Sequence, residues 1–266
     1  MTGPQIRFLA VGDLMLDVAV SGAGHAASIR VGPGGCAANA AVWATTCGAE
    51  AAVIGRVGDD LAGRALRAVL AERRVDARLA VDTELPTGTF ALVDGELHVD
   101  RGANAGGWLL PDLLKADAVL VSSYLDEEVV LGVLERARAP WIAVQGKPFA
   151  GANAIFLSER ELGGARIEQL GKRFRLVCVT RGNAGAVAVL DGEVARAQPP
   201  QTHEGSATGA GDAFAATVLV SLARGLPFRE AIADGCRSGA LAAASPDGWP
   251  AMRESREAED RREENP

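Results

Sequence analysis

The sequence predicts an α/β fold in which helices cover both faces of a mainly parallel central sheet. Two observations carry this prediction: uninterrupted apolar runs typical of buried strands alternate with segments of helical spacing, and several of these runs end at a glycine. Ligands of such sheets bind beyond the carboxyl ends of the strands. Glycine segments at Gly12, Gly182 and 209–211 fall at such ends, so we expect the ligand site there.

The predicted elements follow in chain order. Strands are expected over residues 6–11, 51–58, 116–123, 141–146, 154–158 and 175–182. Helices are expected over residues 36–48, 59–75, 127–139, 212–224 and 228–244. Helical spacing is clearest over 59–75, where one face collects the apolar residues Leu61, Ala65, Leu66, Val69 and Leu70.

Two segments, 17–32 and 86–104, break the alternation of strands and helices. They are polar, alternating and rich in glycine, and the second contains Asp94-Gly95, a good two-residue hairpin turn. We expect antiparallel hairpins that form a small β-lid over the ligand edge, or an edge extension with no role. Residues 1–252 are then a single domain, and the charged residues 253–266 are a solvated helix end or a disordered tail.

The composition excludes several classes of protein. The 266 residues are 48% hydrophobic and carry a net charge of -7, so the basic face of a nucleic-acid binder is not expected. Four widely spaced cysteines without a CxxC pair argue against a zinc site and a disulfide framework. Gly12 and Asp13 interrupt the apolar start, so neither a signal peptide nor a membrane helix is predicted. We expect a cytoplasmic protein without nucleic-acid or membrane partners.

The segment TGAGDAF at 208–214 gives the clearest chemical signal. The amides of Gly209, Ala210 and Gly211 stand where a helix begins, and a helix N-terminus attracts anions such as a transferring phosphoryl group. Bound phosphate repels a carboxylate, so Asp212 makes sense there if it takes a proton from a substrate hydroxyl. The segment therefore suggests base-assisted phosphoryl transfer. Plain helix capping by Asp212 is the alternative.

Two further segments carry weaker signals. PGGCAAN at 33–39 places paired glycines before a small-residue helix, where a ligand can press against backbone and Asn39 can bond sugar hydroxyls. A tight turn is the alternative there. GDLMLD at 12–17 places acids just past a strand, where they can accept bonds from a diol or simply face solvent. The sequence lacks GxxxxGK[ST], and GxGxxG does not follow the first strand, so neither a P-loop nor a classical dinucleotide site is predicted.

Together and in this order, these segments resemble the PfkB or ribokinase-like family of carbohydrate kinases. The matching segments are GDLMLD at 12–17, PGGCAAN at 33–39, VIGRVGDDLAG at 53–63, RGAN at 101–104, VTRGNAG at 179–185 and TGAGDAF at 208–214. The resemblance extends to about residue 250. It implies a ribokinase-like fold with a Rossmann-like sheet and a β-lid, ATP as phosphoryl donor and Mg²⁺ as helper.

The resemblance also implies roles for individual residues. By analogy Asp212 is the catalytic base, and the anion hole for the γ-phosphate is formed by Gly209, Ala210 and Gly211. Substrate binding is assigned by the same analogy to Asp17, Gly34, Gly35, Asn39, Gly102 and Asn104. Thr180 and Gly182 correspond to nucleotide contacts.

The sequence departs from the family pattern at two positions. SERE at 158–161 stands where the family usually has NxxE near Mg²⁺. Glu161 remains, to hold the metal through water, but Ser158 replaces the asparagine, so we expect altered rather than absent metal handling. Many members read DTTGAGD, whose first acid lies at a monovalent-cation site. Ser206 stands there in this chain, which leaves a requirement for a monovalent cation open.

The leading expectation is an ATP-dependent phosphotransferase acting on a hydroxyl of a small sugar or sugar derivative. A nucleoside kinase is the next alternative, for which Phe90, Trp108 and Tyr124 are the available aromatics. A non-catalytic sugar- or nucleotide-binding descendant is a third, which Ser158 and Ser206 favour and Asp212 argues against.

A homodimer through the lid is also possible by analogy, since many relatives dimerise there. The apolar lid residues that can form such a face, or the lid's own core, are Val18, Val20, Ile29, Phe90, Leu92 and Leu97.

Overall fold

A computed structural model describes residues 5–200 and 208–251 of the chain. Its strands are β1 (Arg7–Val11), β2 (Met15–Ser21), β3 (Ser28–Gly34), β4 (Glu50–Gly58), β5 (Asp76–Asp82), β6 (Gly88–Val93), β7 (Glu96–Asp100), β8 (Leu114–Lys115), β9 (Ala118–Ser122), β10 (Ala137–Arg138), β11 (Trp141–Gln145), β12 (Ala154–Ser158), β13 (Leu176–Thr180), β14 (Ala186–Leu190) and β15 (Glu193–Ala197). Its α-helices are α1 (Cys36–Thr46), α2 (Leu61–Glu72), α3 (Glu127–Arg136), α4 (Glu159–Leu162), α5 (Ile167–Leu170), α6 (Ala210–Ala223) and α7 (Phe228–Ala244).

The central sheet has nine strands in the order β15-β14-β13-β12-β11-β9-β1-β4-β5. All neighbours from β13 to β5 are parallel, and β14 and β15 add an antiparallel edge. Because the carboxyl ends of parallel strands meet at one edge, the segments after β1, β9, β11, β12 and β13 are brought together. Six strands of this sheet were predicted from the sequence, namely β1, β4, β9, β11, β12 and β13. The strands β5, β14 and β15 were not predicted.

Alternate residues of each central strand are buried on opposite faces, which explains the uninterrupted apolar runs. In β1, Phe8 and Ala10 join the large core beneath α1, α2, α6 and α7. Leu9 and Val11 join the core on the other face, which α3 covers. Helices therefore cover both faces, as the sequence predicted.

The lid is a separate four-stranded sheet in the order β3-β2-β6-β7. Its strands lie in the two predicted segments and form two antiparallel hairpins, joined by a parallel pairing of β2 with β6. Asp94 and Gly95 form the second hairpin's turn with φ values of 47° and 86°, the pair of positive values that a type I′ turn requires. The hairpin prediction is confirmed.

Asp60 fastens the start of the second lid hairpin to the main body. As N-cap of α2, its Oδ1 accepts hydrogen bonds from the Gly63 amide at 2.7 Å and from Thr87 Oγ1 at 2.6 Å. Its Oδ2 accepts the Thr87 amide at 2.7 Å. Partial burial raises the pKa of Asp60, but the bonds from Thr87 and Gly63 outweigh it and lower the pKa. This network gives the segment VGDDLAG a structural reason.

Two predictions concern residues beyond this description. The charged tail over 253–266 lies outside the described residues, and so does Ser206. Within the part of the chain that is described, no helix combines the length and apolar character needed to cross a membrane. The division into one domain and a tail stays a prediction.

Candidate functional site

The predicted base, Asp212, lies in the first turn of α6 and is 7% exposed. Both of its oxygens accept a hydrogen bond from a side-chain amide: Oδ2 from Asn39 Nδ2 at 2.7 Å, and Oδ1 from Gln145 Nε2 at 2.6 Å. Asn39 belongs to α1, and Gln145 is the last residue of β11. Two distant parts of the chain therefore hold this carboxylate in one orientation.

The surroundings of Asp212 raise its pKa from the ordinary range to about 6. Burial is the largest cause, because it disfavours the charged form. The bonds from Asn39 and Gln145 act in the opposite direction, and the negative charges of Asp13 and Glu161 add to the increase. A carboxylate of this kind can exchange a proton close to neutral pH.

Asp17, in β2 of the lid, faces the same site. A Cβ atom on Gly34 would stand 2.0 Å from Asp17 Oδ1, so only glycine leaves room for this carboxylate beside β3. Burial, and then the charge of Asp212, raises the pKa of Asp17 to about 7. Two acids thus lie close enough for their charges to interact, one on a strand of the lid and one on a helix of the main body.

The start of α6 has the backbone that the glycine motif predicted. Gly209, the N-cap, has φ of 77°, a left-handed conformation that suits glycine, and it offers no side-chain cap to the first amides of the helix. Ala210 and Gly211 are the first two helical residues and are partly exposed. Their amides point along the helix axis toward the N-terminal end, where an anion is stabilised.

Gly102 and Asn104 are placed differently from what a direct substrate contact requires. Asn104 is fully buried; its Oδ1 accepts the Leu14 amide at 3.2 Å, and its Nδ2 donates to the carbonyl oxygens of Leu14 and Arg101 at 3.0 and 3.1 Å. Gly102 is also buried, with no space for a Cβ against the Pro86 carbonyl. In this arrangement the two residues join the lid to the strand end after β1 and offer no free donor to a ligand.

The remaining predicted residues lie along the same edge. Gly35 is the N-cap of α1. Thr180 ends β13, where its Oγ1 donates to the Leu157 carbonyl at 3.4 Å, and Gly182 begins an exposed turn after it. Exposed backbone at this edge is available to a ligand such as a nucleotide, and the assignment of these contacts stays a prediction.

Glu161 is held by its own helix and by an aromatic residue. Ser158 caps α4, its amide and Oγ both donating to Glu161 Oε2 at 2.7 Å, and Tyr124 Oη donates to Oε1 at 2.5 Å. Partial burial would raise the pKa of Glu161, but the bonds from Tyr124 and Ser158 outweigh it and lower the pKa. The SERE segment is therefore a capping box, a pattern (S-x-x-E) that the sequence already carried.

Sequence reasoning missed two residues of the Asp212 cluster. Gln145 is a polar residue at the end of an apolar strand, a signal that could have been followed. Trp249 lies beyond α7, where its Nε1 donates to Asn39 Oδ1 at 2.6 Å. Nothing in the local sequence around Trp249 indicates that contact.

Glu161 is the carboxylate at this site that is suited to holding a divalent cation through water. Glu161 is a carboxylate that stays ionised, at the same edge as Asp212, and Mg²⁺ typically accompanies nucleotide phosphates while keeping most of its water. Among the described residues, His, Cys, Asp and Glu side chains form no cluster of three that could bind a metal.

A family model described as pfkB family carbohydrate kinase matches residues 6–139 and 148–251. The chain is 30% identical to a fructokinase of Klebsiella pneumoniae over 83% of its own length and 86% of that protein. It is also 30% identical to the bifunctional protein HldE of Streptomyces coelicolor over 92% of its own length but 62% of that relative, so it spans less than two thirds of the latter.

Solved structures share the fold. An Arabidopsis thaliana ribokinase, complexed with ribose and ATP, has a TM-score of 0.77 at 18% identity, covering 93% of this chain and 96% of its own. An adenosine kinase from Sinorhizobium meliloti has a TM-score of 0.80 at 17% identity, covering 97% of this chain and 100% of its own. These matches confirm the predicted ribokinase-like fold.

Proposed function

Since this chain belongs to the pfkB family of carbohydrate kinases, we propose that it transfers the γ-phosphate of ATP to a hydroxyl of a small sugar or sugar derivative. The observation that carries the proposal is the Asp212 carboxylate, which is buried, held at both oxygens and placed in the first turn of a helix whose N-cap residue, Gly209, has no side chain to cap it. A structural cap would have no need of burial and a raised pKa, whereas a general base does.

The proposed reaction begins with the acceptor hydroxyl between the lid and the main body. Asp212 accepts the hydroxyl proton as the hydroxyl oxygen bonds to the γ-phosphorus, the bond from that phosphorus to the β-γ bridging oxygen breaks, and ADP leaves. The amides of Gly209, Ala210 and Gly211 stabilise the charge on the transferred group. Asp212 then releases its proton to solvent, which a pKa of about 6 allows at neutral pH.

Binding of the acceptor is assigned to residues of the lid and of the start of α1, and exclusion of water is assigned to the lid. Asp17 and Asn39 are proposed to bind acceptor hydroxyls, with Gly34 and Gly35 letting the acceptor approach the backbone. The lid reaches the segment after α7, because a Cβ on Gly32 would stand 3.4 Å from Asp247 Cβ. A lid in this position would keep water, a competing phosphoryl acceptor, out of the site.

Glu161 is proposed to hold Mg²⁺ through water. The chemistry that Mg²⁺ would supply there is partial neutralisation of the charge on the phosphates of ATP. Thr180 and Gly182 are proposed to contact the nucleotide. The arrangement supports this division because all three residues lie at the carboxyl ends of the neighbouring strands β12 and β13.

An uncharged sugar is the acceptor that the contacts favour. Arg101, the basic residue of the RGAN segment at 101–104, already pairs with Asp126 at 2.9 Å, so a phosphate on the acceptor would have to displace that partner. The fructokinase relative supports a sugar. A nucleoside is the second candidate, supported by the exposed ring of Tyr124 beyond β9, which is close enough for the charge of Asp212 to affect its pKa.

The experiment measures ADP release from ATP and Mg²⁺ with a panel of free sugars, sugar acids, sugar phosphates and nucleosides. Asp212→Asn is measured beside the wild type, and we expect it to lose about 10²- to 10⁴-fold in kcat while still binding ATP, because the base is removed. ADP formation with one class of acceptor would identify the substrate class. Retention of wild-type turnover by Asp212→Asn would contradict the assigned base.

A non-catalytic sugar- or nucleotide-binding protein is the alternative that the same experiment tests. It would bind ATP without acceptor-dependent ADP release from any class.

A homodimer through the lid and a cytoplasmic location stay predictions. Exposed apolar side chains on the lid support the former, namely Ile29, Val31, Leu97 and Val99.

A further inference from the structure

Asn39 connects Asp212 to a second buried side chain, the indole of Trp249. Trp249 is 1% exposed and Asn39 is 4% exposed. The Trp249 Nε1–H group donates to Asn39 Oδ1 at 2.6 Å, and Asn39 Nδ2 donates to Asp212 Oδ2 at 2.7 Å. The three side chains thus form one buried line of hydrogen bonds that ends at the proposed base.

The chemistry of the indole decides which way the Asn39 amide faces. An indole N–H can only donate, whereas an asparagine amide presents an acceptor on one side and donors on the other. Trp249 therefore requires the oxygen of Asn39 on its own side, and the NH₂ group must face Asp212. With the amide reversed, an N–H would oppose an N–H at Trp249 and an oxygen would oppose the carboxylate, leaving buried groups unpaired.

We propose that Trp249 is a positioning residue of the kinase: by fixing the Asn39 amide, it guarantees that a donor rather than an acceptor faces Asp212 throughout the reaction. The proposal rests on the proposed role of Asp212 as the base. A permanent donor favours the ionised carboxylate, which is the form able to take a proton from the acceptor hydroxyl.

Comparison with Gln145 shows what the bond from Trp249 adds to Asn39. Its Nε2 donates to Asp212 Oδ1 at 2.6 Å, and among the described residues its side chain has no second hydrogen bond. Since no other bond from a described residue fixes the Gln145 amide, this part of the structure allows it to reverse when Asp212 is protonated, so that its oxygen accepts the new proton. Asn39 cannot do so while Trp249 is present. The difference assigns the incoming proton to the Oδ1 side of Asp212, the side that Gln145 faces.

Trp249 is itself held from several directions. The guanidinium of Arg73 lies 5.5 Å from the centre of its ring, and Arg73 Nη1 donates to the carbonyl of the next residue, Pro250. The carbonyl of Gly248 accepts the indole N–H of Trp43 at 2.9 Å. The indole of Trp249 is thus fixed by contacts to α1 and to the end of α2.

Five titratable groups around Asp212 do not help the Asn39 donor to keep Asp212 ionised. They come from the strand end after β1, the lid, the start of α1, the strand end after β9, and α4, and they are Asp13, Asp17, Cys36, Tyr124 and Glu161. Each is neutral or negative, so each either leaves the pKa of Asp212 unchanged or raises it. The bonds from Asn39 and Gln145 are therefore the interactions that lower the pKa of Asp212 against burial and the neighbouring charges.

The first test uses the wild-type protein and needs no activity. Indole ¹H–¹⁵N resonances of the tryptophans, assigned with Trp→Phe variants, are followed from pH 4.5 to 8.5. We expect the Trp249 resonance to shift with a midpoint near pH 6, and the shift to disappear in Asp212→Asn. Trp43, whose indole donates to a backbone carbonyl, serves as the internal reference and should shift much less. Equal movement of both resonances, or a shift that persists in Asp212→Asn, would overturn the proposal.

The second test compares Trp249→Phe with Trp43→Phe. Both variants keep an aromatic ring in a buried site and remove one indole N–H bond to the same neighbourhood, but only the first releases the Asn39 amide. We expect the acid limb of kcat/KM to move upward by about one pH unit in Trp249→Phe, since a hydrogen bond to a charged group is weakened. In Trp43→Phe the acid limb should stay in place even if urea unfolding shows a comparable loss of stability.

The two proposals fail in different ways. If the wild type releases no acceptor-dependent ADP, the kinase proposal is contradicted, while the indole titration still reports on the line of bonds. If the enzyme is active but Trp249→Phe leaves the acid limb unchanged, or shifts it no more than Trp43→Phe, the positioning role is wrong and the kinase proposal is unaffected.

Discussion

Asp212 and Glu161 lie at the same edge of the sheet, yet their pKa values move in opposite directions. Asp212 accepts two hydrogen bonds from neutral amides and its pKa rises to about 6. Glu161 accepts three, two from Ser158 and one from Tyr124, and its pKa falls below the ordinary value. Burial opposes ionisation of both carboxylates, but Asp212 is 7% exposed whereas the Glu161 side chain reaches solvent.

The comparison teaches that hydrogen-bond donors keep a carboxylate ionised only where the carboxylate also keeps contact with water or lies near a positive charge. For Asp212 the loss of water outweighs two good donors, and the neighbouring acids add to the increase. For Glu161 the donors and the nearby charge of Arg160 outweigh a smaller loss of water. One acid is thereby suited to exchanging a proton near neutral pH, and the other to remaining an anion beside a metal ion.

Removing a donor from Asp212 should give the largest effect on this comparison. Gln145→Leu leaves Oδ1 without its bond, and we expect the pKa of Asp212 to rise by about one to two units. The base works only when ionised, so activity is lost as pH falls through this pKa and the acid limb moves to higher pH. At pH 6, kcat/KM should fall by about five- to fiftyfold, with recovery above pH 8.5, as measured by ADP release across that range.

Ser158→Ala is the matched control for Gln145→Leu. It removes a donor from Glu161 and should leave the acid limb in place. If Ser158→Ala moved the limb as far as Gln145→Leu, the two carboxylates would not have the separate roles assigned to them.

Removing the charge of Glu161 should have the next largest effect, on the metal rather than on the proton. Glu161→Gln keeps the shape of the side chain, and we expect the Mg²⁺ concentration for half-maximal rate to increase about tenfold. The acid limb should move slightly to lower pH, because the charge of Glu161 contributes to the raised pKa of Asp212. Initial rates over a Mg²⁺ series at several pH values measure both effects.

Glu159→Gln is the control for that variant. Glu159 begins the same helix but pairs with Arg181 at the surface, at 3.3 Å. An unchanged Mg²⁺ requirement in Glu161→Gln, or an equal increase in Glu159→Gln, would contradict the role of Glu161.

The sequence predicted the turn that carries Asp212 better than it predicted the partners of that carboxylate. The turn at 209–211 and Asp212 are adjacent in the chain, so their geometry is local and a motif can encode it. The partners of Asp212 are not local: Gln145 is 67 residues away, and Trp249 is 210 residues from Asn39. Such contacts follow from strand order and from where α7 ends, which single-sequence patterns do not determine.

Other differences have equally physical causes. The edge strands β5 and β15 were missed because they are partly exposed and lose the continuous apolar run of central strands. β14 is a buried apolar run between β13 and β15, and exposure does not explain why it was missed. Asn104 was assigned to the substrate by analogy with the family's motif, whereas in the structure its amide bonds buried backbone groups. The position of a motif predicted its neighbourhood but not which way its side chain points.

Tyr124→Phe should give the smallest effect, and it separates the contribution of one donor from that of the whole Glu161 environment. Tyr124 is 57% exposed, and its loss leaves both Ser158 donors on Glu161. The pKa of Glu161 should rise but stay below neutral, so at pH 7.5 the Mg²⁺ requirement should change less than about threefold, as expected of one exposed hydrogen bond. Because the pKa of Glu161 is higher in the variant, the difference from wild type should grow as the pH is lowered. If Tyr124→Phe instead matched Glu161→Gln at pH 7.5, the tyrosine rather than the capping box would determine where the Glu161 carboxylate lies.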